Sequence, residues 1–130
     1  MARFLAGRAD VAWLRYPGLA DGRFAHPQAA VAARQMGAGG GMVSFVPEAG
    51  GRHGRSARDR AVGVCESTRL FTLAESLGGV ESLIELPAVM THASVATSPL
   101  EVPEALIRLS VGIEDAADLV ADLAAALDGA

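Results

Sequence analysis

The strongest constraint on the fold lies near the C-terminal end of the chain. Leu106-Ile107-Arg108-Leu109-Ser110-Val111-Gly112 alternates as a strand does, and a segment with helical periodicity follows it. In that segment Ala116, Leu119, Val120, Leu123 and Leu127 recur at spacings of three and four, which gathers them on one helix face. Glu114, Asp115 and Asp118 crowd its beginning, where the helix dipole favours negative charge, and Gly129 follows the last turn. A helix with one apolar stripe and a strand with one apolar face bury those surfaces most economically against each other. This unit therefore commits the chain to helices layered on a sheet.

The remaining segments extend the same design. Val11-Ala12-Trp13-Leu14-Arg15-Tyr16 is bulky and apolar and stops at Pro17-Gly18, which predicts a strand closed by a turn. Pro27 suits a first helical position, Ala29, Ala30, Ala32, Ala33 and Met36 favour helix, and Gly37 ends it. Met42-Val43-Ser44-Phe45-Val46, between glycines and Pro47, predicts a second strand. Residues 48 to 60 offer almost nothing to a core and read as an exposed loop, and 60 to 67 reads as a weak helix with Val62 and Cys65 on one face. Leu70-Phe71-Thr72-Leu73 and Val80 to Leu86 read as extended segments separated by Gly78-Gly79. Four or five strands with three helices make an α/β two-layer sandwich, its sheet mostly antiparallel or mixed, its helices on one face. At 130 residues this is a single domain, residues 1–130.

Composition narrows the chemistry. Hydrophobic residues at 51% supply a core, and a net charge of −4 is the wrong sign for a protein that neutralises phosphates, so nucleic acid is not an expected partner. Apolar runs break well short of the roughly 18 residues a membrane helix needs, and the first ten residues lack a signal peptide's apolar stretch, so the expected compartment is the cytoplasm. The single cysteine, Cys65, excludes an internal disulfide and any multi-cysteine metal site. All 11 basic residues are arginine. With no lysine, these residues cannot form a Schiff base or supply a P-loop amine.

Few local signatures of catalysis survive this reading. The glycines of Gly37-Ala38-Gly39-Gly40-Gly41 precede a strand and lack a P-loop's Lys-Ser/Thr ending, so they read as a helix stop and a close backbone approach. Arg52, Arg55, Arg58 and Arg60 with His53 read as a solvated loop, flanked by Asp59 and Glu66, before an anion patch. His26, His53 and His92 lie far apart, with no pair at a metal-ligand spacing, and no Gly-x-Ser-x-Gly occurs. Cys65 reads as a small buried hydrophobe. Arg108 stands out as a charge inside an apolar strand. It needs an anionic partner, either an internal Asp or Glu or a ligand carboxylate. Glu75 and Ser76, beside a glycine turn, read on their own as an element end.

The run from Leu70 to Ser94, containing Ala74-Glu75-Ser76-Leu77-Gly78-Gly79 and Ile84-Glu85-Leu86-Pro87-Ala88-Val89-Met90-Thr91-His92, closely resembles the C-terminal domain of the cystathionine γ-lyase and γ-synthase family. These are transsulfuration enzymes that use pyridoxal phosphate. Leu106 to Asp115 with the helix behind it, Tyr16-Pro17-Gly18-Leu19, His26-Pro27, Arg34-Gln35-Met36 and Gly40-Gly41-Met42-Val43-Ser44-Phe45 are similar to other landmarks of the family. The resemblance implies the small domain of a fold-type I pyridoxal-phosphate enzyme and a sulfur amino-acid substrate. It also implies that Arg108 takes the substrate α-carboxylate in a bidentate pair, and that Ser76 helps hold the same group, chiefly through its backbone. Glu75 would lie at the site's mouth, suited to the distal ammonium of cystathionine, and Thr91 beside the pocket, in support of Arg108. Fixing the carboxylate orients the bond to be broken at Cα against the cofactor ring.

The same resemblance assigns the cofactor's lysine and its other holders to a large N-terminal domain that these residues do not include. The expectation is a C-terminal fragment with no catalytic, cofactor-binding or metal-binding residue of its own, inactive alone. The full-length family implies a homo-oligomer. One alternative is a non-catalytic assembly or binding module that docks on a separate lysine-bearing half. Another is a stand-alone amino-acid-binding domain.

Overall fold

The structure, a computed structural model, describes residues 1–91 and 101–130. Helix α1 (Ala2–Ala6) leads into strand β1 (Val11–Arg15), followed by helix α2 (Ala29–Gln35) and strand β2 (Met42–Pro47). A 3-10 turn (Gly51–His53) precedes helix α3 (Ala57–Ser67), strand β3 (Thr72–Leu73), strand β4 (Leu83–Glu85) and the short helix α4 (Pro87–Met90). Strand β5 (Ile107–Ser110) and helix α5 (Ala116–Gly129) complete the chain. The strands form one five-stranded sheet in the order β1-β2-β5-β4-β3. It is antiparallel except where β3 runs parallel to β4, so it is mixed, as the segment pattern anticipated.

One face of the sheet carries the core. Leu14, Val43, Phe45, Ile84, Ile107 and Leu109 are buried together with Leu5 of α1, Ala61, Val64 and Cys65 of α3, and Leu119, Leu123, Ala126 and Leu127 of α5. Of the stripe read from the sequence of α5, Leu119, Leu123 and Leu127 pack inward with Ala126, while Ala116 is exposed and Val120 half-buried; Asp115 caps the helix by accepting from the backbone N–H of Ala117 (2.8 Å) and Asp118 (3.2 Å). Burial pushes the Cys65 thiol up to about 12, which suits the inert role expected of it. At Gly41 a Cβ would stand 2.8 Å from the carbonyl oxygen of Val111, so the glycine run serves a close backbone approach.

Several elements differ from expectation for physical reasons. Residues 48 to 60 are not all loop: α3 begins at Ala57, because the Ser56 hydroxyl accepts from the backbone N–H of Asp59 at 3.0 Å and caps the helix. Arg60 accordingly points inward and is only 2% exposed, while Arg55 and Arg58 stay at the surface. The strand expected over Leu70–Leu73 shrinks to Thr72–Leu73. The backbone N–H groups of Arg69 (2.9 Å), Leu70 (2.9 Å) and Phe71 (3.3 Å) donate to the Asp122 carboxylate of α5 instead of to a neighbouring strand. The segment from Val80 pairs only from Leu83, and Pro87 at the first turn of α4 ends it. His92 lies outside the described residues.

A charged cluster closes the end of the sheet where β1 begins and β2 exits. Arg8 donates to both oxygens of Asp10 (2.7 and 2.9 Å) and to Asp128 (2.6 Å). Buried Arg60 donates to Asp10 (3.0 Å), to the Leu127 carbonyl (3.1 Å) and to the Glu48 carbonyl (2.9 Å). The cluster thus ties the start of β1, the exit of β2, α3 and the last turn of α5. Hydrogen bonds from Arg8, with Arg60 in support, hold the Asp10 carboxyl at about 2, below its ordinary 3.8. Its contribution to stability is present above the unfolded value and is lost as pH falls through the folded one. Asp10→Asn is expected to cost on the order of 1–2 kcal/mol near neutral pH, where both Arg8 and Asp10 still reach solvent. The gap to the parent chain in urea unfolding should narrow as pH drops from about 4 toward about 2.

Candidate carboxylate site

The sheet face opposite the core is polar along one cross-strand row. Arg15 of β1 pairs with Ser44 of β2, Ser44 with Arg108 of β5, and Arg108 with Glu85 of β4. Partners in an antiparallel ladder share a face, so these four side chains project the same way. Arg15 stacks over the Trp13 ring, its guanidinium 4.9 Å from the ring centroid.

Arg108 is the centre of this row. Its Nη2 forms an ion pair with Glu85 Oε2 and donates to the backbone carbonyls of Glu75 (3.1 Å) and Ser76 (3.3 Å). Glu85 is only 1% exposed, and its other oxygen, Oε1, accepts from the Thr91 hydroxyl at the end of α4. A carboxylate at that depth depends on the charge of the guanidinium and on the hydrogen bond from the hydroxyl. Arg108 is less enclosed, its side chain 18% exposed. Among the described residues, no acceptor meets its Nε or Nη1.

All four residues singled out from the sequence thus fall in one cluster. Glu75 and Ser76 meet Arg108 through their carbonyls, with both residues exposed, and Thr91 reaches Arg108 through Glu85. The Ser76 carbonyl is an acceptor that holds the arginine. A carboxylate ligand would need donors, and among the described residues Arg108 has none spent at Nε and Nη1. Both bidentate edges of a guanidinium include Nη2, so a carboxylate bound across either edge shares that nitrogen with the internal acceptors. Of the two partners left open for Arg108, the internal acid is present, and it is Glu85. The sequence reading passed over Glu85, although a lone acid in one apolar strand and a lone arginine in another are a recognisable signal for a cross-strand pair.

Pyridoxal phosphate is anchored through a lysine amine, and none of the 130 residues is lysine. The residues present therefore do not fit that cofactor by themselves. What the cluster can do is present a positioned guanidinium to an anion. Among the described residues, no helix is long and apolar enough to cross a membrane.

Comparison with known proteins defines the class. Residues 1–128 match the family model described as Cys/Met metabolism PLP-dependent enzyme, and the chain belongs to that family. It is 55% identical over 128 residues to the cystathionine gamma-synthase of Mycobacterium leprae, covering 98% of this chain and 30% of that protein. It is 47% identical over 131 residues to the cystathionine gamma-lyase of Dictyostelium discoideum, covering 98% of this chain and 31% of that protein. The crystal structure of metB from Corynebacterium glutamicum superposes with a TM-score of 0.86 at 49% identity, over 98% of this chain and 30% of that one. The chain thus spans about three tenths of the length of the relatives it matches, and its fold is that of a domain within pyridoxal-phosphate enzymes.

Removing Glu85 strands the arginine that the sheet has built around. Glu85→Ala is expected to destabilise the chain by about 2–4 kcal/mol in urea unfolding, since breaking a buried pair leaves an uncompensated charge. Thr91→Val should cost about 1 kcal/mol, the worth of a single hydrogen bond to a charged group at partial exposure.

Proposed function

We propose that this chain is the C-terminal part of a pyridoxal-phosphate-dependent transsulfuration enzyme of the cystathionine γ-lyase and γ-synthase kind, and that it supplies the half-site for the substrate α-carboxylate. The observation that carries this reading is the Arg108 guanidinium, held by Glu85 and by the carbonyls of Glu75 and Ser76, with no acceptor at Nε or Nη1 among the described residues. A planar fork fixed at one nitrogen loses little freedom on meeting a carboxylate, which gives orientation as well as affinity.

In this reading Arg108 binds the α-carboxylate and Glu85 with Thr91 keeps the guanidinium in place. The exposed Glu75 side chain, whose own carbonyl touches Arg108, stands where an ammonium at the far end of a sulfur amino acid can meet it. Pyridoxal phosphate supplies the electron sink for bond cleavage at Cα, and its lysine comes from polypeptide outside these residues. The chain by itself binds and orients and does not turn over substrate. That the relatives matched at 47% and 55% identity are named as enzymes favours this reading over a purely assembling role.

Titration of the chain with L-cystathionine should give saturable binding that is lost in Arg108→Ala. The same chain incubated with pyridoxal phosphate and L-cystathionine should release no cysteine above the cofactor-only control. Sustained cysteine release would refute the claim of dependence on a separate lysine, and binding retained in Arg108→Ala would remove the carboxylate assignment.

A further inference from the structure

The stretch that follows Arg108 also holds the loop that touches it. Residues 74–82 connect β3 to β4 and carry the Glu75 and Ser76 carbonyls. The Gly78 backbone N–H donates to the Ser110 hydroxyl at 2.8 Å, and Ser110, two residues beyond Arg108, is 3% exposed. The Ile113 N–H donates to the Val80 carbonyl at 2.9 Å. Ser82, fully buried, gives its backbone N–H to Glu114 Oε1 (2.7 Å) and its hydroxyl to Glu114 Oε2 (2.8 Å), while that hydroxyl accepts from the Gly112 N–H at 2.9 Å. Every hydrogen-bonding group of Ser82 is used, since its carbonyl accepts from the Thr72 N–H at 2.9 Å. At Gly112 any Cβ would overlap the Val80 carbonyl and crowd Glu114, so the two segments can lie this close only with glycine there.

These bonds are more than closure of a loop. They fix how far residues 75 and 76 sit along β5, and two carbonyls on Arg108 Nη2 are placed by that register. We propose that Ser82 and Glu114 are positioning residues for the carboxylate site, registering loop 74–82 on the tail of β5 so that the Glu75 and Ser76 carbonyls orient the Arg108 guanidinium. This rests on the reading of Arg108 as the carboxylate-binding residue. With the clip intact the guanidinium is held before a ligand arrives; without it the side chain must be ordered on binding, and affinity falls. Ser82 and Glu114 touch no ligand themselves. Their effect passes through the loop.

The test uses the 130-residue chain, with the Arg108 side-chain Nε–H resonance as reporter and L-cystathionine as the titrant. Ser82→Ala and Glu114→Ala should each raise the dissociation constant about tenfold, while Ser82→Thr, which keeps the hydroxyl, should restore it to within about threefold of the parent. Melting temperature followed by circular dichroism separates this from general loosening. Asp10→Asn, in the ionic cluster of Arg8 and Arg60 and without contact to Arg108, serves as a control for stability loss, and the clip variants must weaken binding more than their melting temperatures predict from it. Glu114→Ala, at a partly exposed position, gives the reading if Ser82→Ala does not fold. Unchanged affinity in Glu114→Ala, with normal binding by the parent, would overturn the positioning role and leave the carboxylate site standing. A parent chain that shows no saturable shift, or an Arg108→Ala variant that still binds L-cystathionine by calorimetry, removes both.

Discussion

A charge placed inside a sheet needs a partner at the same level of the ladder, and the pair Arg108–Glu85 meets that requirement across β5 and β4. Most of what is distinctive on the polar face follows from it. Glu85 is buried, and the Thr91 hydroxyl at the end of α4 donates to its second oxygen. Arg108 keeps some exposure because its Nη2 alone takes the internal acceptors. The pair is therefore asymmetric, with a sealed acid and an accessible base. That asymmetry is what the proposed carboxylate half-site rests on.

The second ionic cluster shows the opposite balance. Around Asp10 it is an arginine, Arg60, that is sealed, and the acid that reaches solvent. Arg60 donates from Nη1 and Nη2 to two carbonyls and Asp10, and its surroundings bring together four segments distant in sequence. This cluster fastens the end of the sandwich, and acid weakens it only below the ordinary carboxylate range, because Arg8 and Arg60 hold Asp10 ionised. Two arginines in apolar company thus serve different ends, according to which member of each pair is left open.

Strong periodicity made the layered fold legible from sequence. The leucines of the α5 stripe, the bulky run of β1 and the glycine-bounded β2 formed as read, because each is decided by local pattern and burial on one side. What could not be read were boundaries set by distant side chains. Asp122 draws away the N–H groups that would have lengthened β3, and Ser56 starts α3 inside a stretch that looked like loop. The latter cap was visible as Ser56-x-x-Asp59, a recognisable helix-start pattern, whereas nothing local announces Asp122. In the site, Arg108 was conspicuous as a lone charge. Glu85 carried the same signal and was passed over, and the clip made by Ser82 and Glu114 depends on a chain reversal that no local pattern reveals.

The two borders of the sheet are unequal, and the difference bears on how another chain could join it. On one side β3 is only Thr72–Leu73, with the preceding amides captured by Asp122, so it offers almost no template for an added strand. On the other, β1 presents five residues, with Trp13 partly exposed and Arg15 stacked upon it. Among the described residues the flank nearest Glu75 and Ser76 is thus the border with the least backbone to offer an added strand, and β1 is the longer one.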